Sequence, residues 1–402
     1  MQGKVHQQEK HNYNIMKTQR SICPKLDKKG LWRLTGDIDR PVLPWPLNDL
    51  QKKALSDFLK AKEDGTIRFV PKERCACGAQ DAINFANIDR FGLPVNSYIC
   101  RECGIIYTSP VLSTDSVKLF YEKFYHLMTF GSFPSSEKAL YAKGQGGKIF
   151  HILKKWFDSK NINILEVGCG SGSVIKEFIR EASLEGFQAK AVGLEFSPDY
   201  VQCFDAEGLN IEILSGNLNN LDQVSEPFDV IIMSHVFEHF LDLQGELHSI
   251  KKIINDRSLI YIEVPGIVSL NYRYDGDYLK YFTFPHIYNF NLTSLVNTLN
   301  MSGYGLLWGN EQIESVFSVG NQSIDISDNS STVLAYLQQL ERNRINHSNQ
   351  ATNILSARIY ESLDIGTMKD DISYVKSFVD SILSVIPNAI IRQIRKLIKH
   401  KK

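Results

Sequence analysis

The sequence predicts an α/β fold: a mostly parallel sheet covered on both faces by helices, preceded by a small cysteine-bearing element. Three observations carry this. Short apolar strands alternate with amphipathic helices from Asn161 to about residue 320, the pattern of a parallel sheet with helical crossovers. A glycine-rich turn, ILEVGCGSG, leaves the first of those strands. Upstream lie four cysteines in two short-spaced pairs, CACG at 75–78 and CRECG at 100–104.

Taken in order, residues 1–71 read as a polar, proline-containing leader. Within it Asn48 is placed to cap a short helix, DLQKKALSDFLKAKE. Residues 72–110 hold the four cysteines, and 111–160 form a helical connector with aromatic anchors, including DSVKLFYEKFYHL. The α/β domain spans 161–320. Its strands are NINILEV, KAVGLEF, IEILSG, FDVIIMSH and RSLIYIEVPG, and GLLWG and ESVFSVG bring the sheet to seven. SVIKEFIREASLEG is a helix stopped by Gly186. SPDYVQCFDAEG is expected to be a helix with Ser197 as N-cap and Pro198 in its first turn. Residues 321–402 read as a polar linker followed by a helical, basic tail.

Lys plus Arg and Asp plus Glu each number 45, so the chain has no net charge. A protein built mainly to hold nucleic-acid backbone carries a basic excess, so the balance points away from nucleic acid. The polar opening predicts no signal peptide, and no apolar run reaches the length of a bilayer span. Paired cysteines in such a chain predict reduced thiols, a metal site and a cytoplasmic setting.

Cys75, Cys77, Cys100 and Cys103 are four thiolates, the number that closes a tetrahedral structural zinc. Gly78 and Gly104 each follow the second cysteine of a pair, where a tight turn aims N–H groups at sulfur. Four thiolates leave no open position, so catalysis at that zinc is not expected. The first pair, Cys-x-Cys, is one residue tighter than the second. Cys23, Cys169 and Cys203 have no ligand spacing and read as packing residues.

In ILEVGCGSG, Gly168, Gly170 and Gly172 let the backbone turn and approach a bound cofactor closely. The third glycine comes one residue earlier than in a dinucleotide-binding loop. Glu166, ahead of the loop, would suit the ammonium group of a bound amino acid. Glu195 ends the second strand, where a carboxylate can accept both hydroxyls of a ribose.

Together these features resemble the class I S-adenosylmethionine-dependent methyltransferases, which implies a Rossmann-like domain and that cofactor. By the resemblance, SGNL is the adenine-contact segment, with Asn217 where Asp is usual. FDVIIMSHVFEHFLD is the segment beside the cofactor, placing His235 near it. The ribbon, SHVFEH and the stretch YLKYFTFPHIYNFNLTSL are similar to a bacterial group of ribbon-bearing methyltransferases from polysaccharide and O-antigen gene clusters, including sugar methyltransferases. The likeness covers about residues 72–310. It implies His286 as general base, with Tyr281 and Tyr288 shaping the acceptor pocket.

The acceptor so implied is a small molecule or glycan, a nucleotide-linked or lipid-linked sugar. The chain lacks the Glu-His pair of the sugar carbon-methyltransferases, having Pro285 before His286, and its tail is short for their second domain. O-methylation is therefore expected ahead of C-methylation. Glu238 and His239 read as structural residues at a helix start. Competing readings are an RNA or protein methyltransferase that docks its substrate on the ribbon, and a non-catalytic scaffold that keeps the fold. The tail helix NAIIRQIRKLIKHKK reads either as packed on the protein or as a weak contact with anionic lipid.

Overall fold

A computed structural model describes residues 46–132, 144–221, 226–274, 276–320 and 329–343. The chain divides into two compact units, and the first, Met1–Leu340, contains every element below. The expected basic tail lies outside the described residues. Among the described residues no helix is long and apolar enough to cross a membrane.

The described chain opens with α1 (Asp49–Glu63), β1 (Phe69–Val70), β2 (Ala82–Ala86), β3 (Asn96–Cys100), β4 (Ile106–Ser109) and β5 (Val111–Leu112). Two helices follow, α2 (Thr114–Lys123) and α3 (Tyr125–Phe130), and then α4 (Gln145–Leu153). The alternating region comprises β6 (Asn161–Val167), α5 (Ser173–Leu184), β7 (Gln188–Glu195), α6 (Pro198–Gln202), β8 (Ile211–Ser215), β9 (Phe228–Ser234), α7 (Leu243–Lys251) and β10 (Ile254–Glu263). It closes with α8 (Leu270–Arg273), α9 (Tyr278–Tyr281), β11 (Tyr288–Asn289), α10 (Leu292–Met301), β12 (Tyr304–Gly309) and β13 (Glu314–Val319).

The main sheet has seven strands in the order β12-β13-β10-β9-β6-β7-β8. From β10 to β8 every pairing is parallel, and β13 pairs antiparallel with both β10 and β12. This is the mostly parallel α/β sheet expected from the alternation of strands and helices. The chain leaves β6 toward β7 on one side and returns as β9 on the other. The crevice at the carboxyl ends of β6 and β9 is therefore a topological switch point, where ligands bind in open α/β sheets.

Helix α5 begins as expected and ends before Gly186, whose φ of 77° lies in the left-handed region that glycine adopts without strain. Its buried stripe, Val174, Ile175, Phe178, Ile179 and Ala182, shares a core cluster with Ile149, Phe150 and Leu153 of α4. The helix that the sequence reads as connector is thus packed onto the sheet's own crossover helix. The expected helix after Ser197 is shorter than its sequence pattern, ending at Gln202.

The cysteine element is not a free-standing bead. Strands β2, β3 and β4 form a four-stranded sheet with β11, in the order β11-β4-β3-β2, with Tyr288 opposite Tyr107 and Asn289 opposite Ile106. Its thiols and Tyr107 belong to the same apolar cluster as Leu165, Ile231 and Phe290.

The end of the leader is equally built in. Asn48 caps α1 in a reciprocal capping box with Gln51. Phe58 on the buried face of α1 stacks on Phe284 with ring centroids 5.3 Å apart, and Phe120 of α2 meets Phe284 edge-on at 5.0 Å. These aromatic contacts hold the segment that leads into His286.

Candidate active site

The glycine loop sits between β6 and the start of α5. Gly168, Gly170 and Gly172 have φ of 69°, 53° and 71°, so all three occupy the left-handed region. A Cβ at Gly168 would lie 2.5 Å from Cγ2 of Val236, and one at Gly172 would lie 2.5 Å from the Phe204 ring. One at Gly170 would meet nothing within 4 Å. The loop is thus close-packed at both ends and open in its middle, which leaves room for a cofactor to approach its backbone.

Two carboxylates shape that loop. Glu195 accepts the N–H of Gly170 at 2.8 Å and of Ser197 at 2.7 Å, tying the loop to the end of β7. Glu166 accepts the N–H of Ile175 at 3.2 Å, beneath the first turn of α5. Burial lifts Glu166 to about 8, with the Ile175 N–H opposing and the Glu195 charge adding. Asn217 follows β8, one residue after Gly216, whose N–H is bonded to the Glu195 carbonyl. These positions fit an amino-acid nucleoside such as S-adenosylmethionine: open glycine backbone, a carboxylate at the second strand end, and one below the loop.

Across the switch point, the end of β9 carries the densest group of titratable side chains. His235 adopts a φ of 57°, outside the usual range for a residue with a side chain, and its ring is half exposed. Nδ1 lies 3.8 Å from Glu238 and Nε2 lies 3.9 Å from Glu263. Burial acts to lower its pKa, but the two carboxylates more than reverse this and raise it. Glu263, at the end of β10, also accepts from Gln145, Tyr261 and Ser234.

Glu238 is 1% exposed, and neither carboxylate oxygen has a hydrogen-bond partner. Its Oε1 lies 3.8 Å from Nε2 of His239. His239 directs Nδ1 at the Pro285 carbonyl, 2.9 Å away. A carbonyl only accepts, so Nδ1 carries the hydrogen and the neutral ring keeps Nε2 bare. His286 packs edge-on against His239 with centroids 4.8 Å apart, and its Nδ1 is buried without a partner. Burial favours the charged form of none of these groups, yet the three histidines bring Glu238 down to about 2. His286 lies well below the usual histidine value because of burial and the neighbouring His239.

Two tyrosines from the connector close this group. Tyr121 of α2 and Tyr125 of α3 meet the His239 ring edge-on at 5.9 and 5.8 Å. Burial raises both phenols well above their ordinary range, with the Glu238 charge adding.

The structure therefore brings His286 and His235 together with Glu238, beside the glycine loop that Val236 touches. Tyr281 is adjacent but committed: its hydroxyl donates to the Pro265 carbonyl at 2.6 Å. Tyr288 departs from expectation. The β11 register sets it opposite Tyr107 on the cysteine sheet, with Lys72 Nζ 4.9 Å from its ring centroid, so its described contacts lie at that junction. Glu238 and His239 sit in a single 3-10 turn, Phe237–His239, at the helix start the sequence suggests, and neither Glu238 oxygen accepts a backbone N–H there. Sequence reasoning missed Glu263, Tyr121 and Tyr125. The aromatic spacing of DSVKLFYEKFYHL was the available signal for the two tyrosines.

The four cysteines converge on one point. Cys75 and Cys103 sulfurs are 3.5 Å apart, Cys77 and Cys100 sulfurs 3.6 Å, and all four lie within 4.8 Å of one another. Thiolates about 2.3 Å from a tetrahedral zinc would be separated by similar distances, so the donor set fits that ion. Gly78 and Gly104 take φ of 88° and 72° in the two turns.

Residues 141–307 match the family model of a methyltransferase domain. No curated protein matches the chain. Among solved structures, coclaurine N-methyltransferase with N-methylheliamine and SAH is 17% identical over 30% of this chain and 35% of its own, with a TM-score of 0.26. A plantazolicin methyltransferase with a triazolic desmethylPZN analog and SAH is 20% identical over 55% of this chain and 88% of its own, with a TM-score of 0.36. Magnesium protoporphyrin IX methyltransferase from Synechocystis PCC 6803 with bound SAH is 13% identical over 51% and 98%, again at 0.36. The chain spans about a third of the first of these relatives.

Proposed function

We propose that this chain, residues 141–307 of which match a methyltransferase-domain model, is an S-adenosylmethionine-dependent enzyme that methylates a sugar hydroxyl in bacterial surface-glycan biosynthesis. The observation that carries the reading is the buried, undonated Glu238 carboxylate facing His239 and His286 beside the glycine loop. Bound S-adenosylmethionine supplies an electrophilic methyl carbon. The chain must bind it, align a nucleophile and remove that nucleophile's proton.

In this reading Gly168, Gly170 and Gly172 admit the cofactor, Glu166 takes its ammonium group, Glu195 its ribose hydroxyls and Asn217 its adenine. His286 accepts the hydroxyl proton at a neutral ring nitrogen, and the Glu238 charge stabilises the imidazolium that results. His239, fixed by the Pro285 carbonyl, holds the neighbouring position. Tyr121 and Tyr125 enclose the group and exclude water. A hydroxyl needs this help, because it is a poor nucleophile until it loses its proton; an aliphatic amine or thiol needs it less.

Cys75, Cys77, Cys100 and Cys103 hold a structural zinc that braces the β11 junction. For residues 388–402 we keep the reading of a weak contact with anionic lipid, checked by comparing liposome binding of the full chain with one ending at residue 387.

The test is methyl transfer by the purified chain from labelled S-adenosylmethionine to a panel of nucleotide-linked and lipid-linked sugars, with RNA and peptide arms. The reading expects a mass gain of one CH₂ on a sugar, with an O-linked methyl carbon by NMR. A C-linked methyl would correct the atom, and transfer to RNA or peptide alone would overturn the substrate class.

A further inference from the structure

Three polar groups near the end of β9 point at one another and have nothing to bond. Glu238 presents two buried carboxylate oxygens without a donor. His239 has its Nδ1 hydrogen engaged by the Pro285 carbonyl, so a lone pair on Nε2 faces Glu238 at 3.8 Å. His286 adds a buried Nδ1 that is also without a partner. One ligand atom from each residue lies within 4.8 Å of the others. The Glu238 oxygens and Nε2 of His239 are all acceptors and cannot bond one another, and leaving buried polar atoms unpaired costs on the order of 1–3 kcal/mol each. A cation between them removes the conflict.

We infer that Glu238, His239 and His286 hold one divalent transition-metal ion, separate from the four-cysteine site, and that its remaining positions take hydroxyl oxygens of the acceptor. The backbone carbonyl on Nδ1 of His239 is the arrangement that orients a metal-binding imidazole and raises its basicity. Two imidazoles and one carboxylate favour zinc, iron(II), manganese or cobalt over magnesium or calcium, which prefer all-oxygen shells. Three protein ligands leave positions open, unlike the closed set of four thiolates. A hydroxyl bound there would lose its proton more readily, and two adjacent hydroxyls of a sugar could bind side by side.

This rests on the sugar-hydroxyl reading for the occupant of the open positions, but not for the ion itself. It changes the part played by His286 and His239 from proton handling to ligation.

Cobalt(II) titration of the metal-stripped, reduced full chain separates the two sites. Cobalt on thiolates has intense sulfur-to-metal charge-transfer absorption, whereas cobalt on imidazole and carboxylate has only weak d–d bands. The inference expects both signatures, each saturating at one equivalent. Glu238→Gln and His286→Ala should lose the weak-band equivalent and keep the charge-transfer one, which also reports that the variants are folded. Cys77→Ser should do the reverse. If the wild-type chain takes up only the thiolate equivalent, or if both Glu238→Gln and His286→Ala retain the second, the inference is overturned, and a shared proton is left as the bridging charge. Methyl transfer to a sugar without a second metal would leave the proposed function standing. A second metal in a chain that methylates no sugar would do the opposite.

Discussion

Oδ2 of Asp89 accepts the amide N–H of Phe284 at 3.0 Å, joining residues 195 positions apart. The other oxygen, Oδ1, accepts the N–H groups of Phe91 and Leu93, each at 2.9 Å. One buried carboxylate thereby ties the loop between β2 and β3 to the segment that leads into His286. Burial lifts Asp89 to about 6, although its three N–H donors act to lower it. Replacing Asp89 with Ala strands those donors, and we expect a stability loss of about 3 kcal/mol or more. Denaturant unfolding measures it; a change as small as a typical surface substitution would mean that water replaces the carboxylate.

The glycine loop predicts two different failures. In Gly168→Ala the added carbon meets Val236 and the φ of 69° is strained, so stability should fall by about 1–3 kcal/mol. Gly170→Ala has open space around the new carbon, and its main effect should be weaker binding of SAH, with a smaller loss of stability. Thermal unfolding and calorimetric titration on the same two variants check this. Equal binding by Gly170→Ala and wild type would remove the loop's centre from the cofactor site.

Glu166 gives a pH dependence. Its carboxyl is lifted from 4.5 to about 8, so in the free protein it is mostly protonated at neutral pH. A raised acid contributes stability that is present below 4.5 and lost as pH rises toward 8. Pairing with the cofactor's ammonium group requires the ionised form. SAH affinity should therefore rise with pH up to about 8, and the slope should flatten in Glu166→Gln. The ligand's own titration is common to both proteins and drops out of the comparison. Superimposable profiles would confine Glu166 to holding the N–H of Ile175.

At the cysteine site, Cys77→Ser should remove zinc and loosen the β11–β4 pairing that sets Tyr288 opposite Tyr107. Metal analysis and hydrogen exchange at Ile106 and Tyr107 report the two effects separately. Zinc retained at full occupancy in Cys77→Ser would show that Cys77 is not a ligand.

Much of this could be read locally. Strand and helix periodicity depends on neighbouring residues, so the seven-stranded sheet follows from apolar runs and their helical crossovers. The glycine loop is legible because its conformation demands glycine at 168, 170 and 172 whatever surrounds it. The acceptor side is not legible in that way. Tyr121, Glu238 and His286 come from three separate segments: Tyr121 lies on a helix whose partner no local pattern names, and Glu238 and His286 lie in short stretches with no periodicity to orient them. The same is true of Tyr288, whose two-residue strand takes its direction from pairing with β4.

By itself, then, the sequence determined the fold class, the glycine turn flanked by Glu166 and Glu195, and the grouping of the four cysteines, all features set within a few residues. Only the tertiary structure decided that Glu238, His239 and His286 share one buried point, and that Tyr288 belongs to the cysteine sheet. The physical reason is that long-range contacts aim those side chains. Asp89 on Phe284, Phe58 and Phe120 around the Phe284 ring, and the Pro285 carbonyl on His239 are pairings that no local pattern encodes.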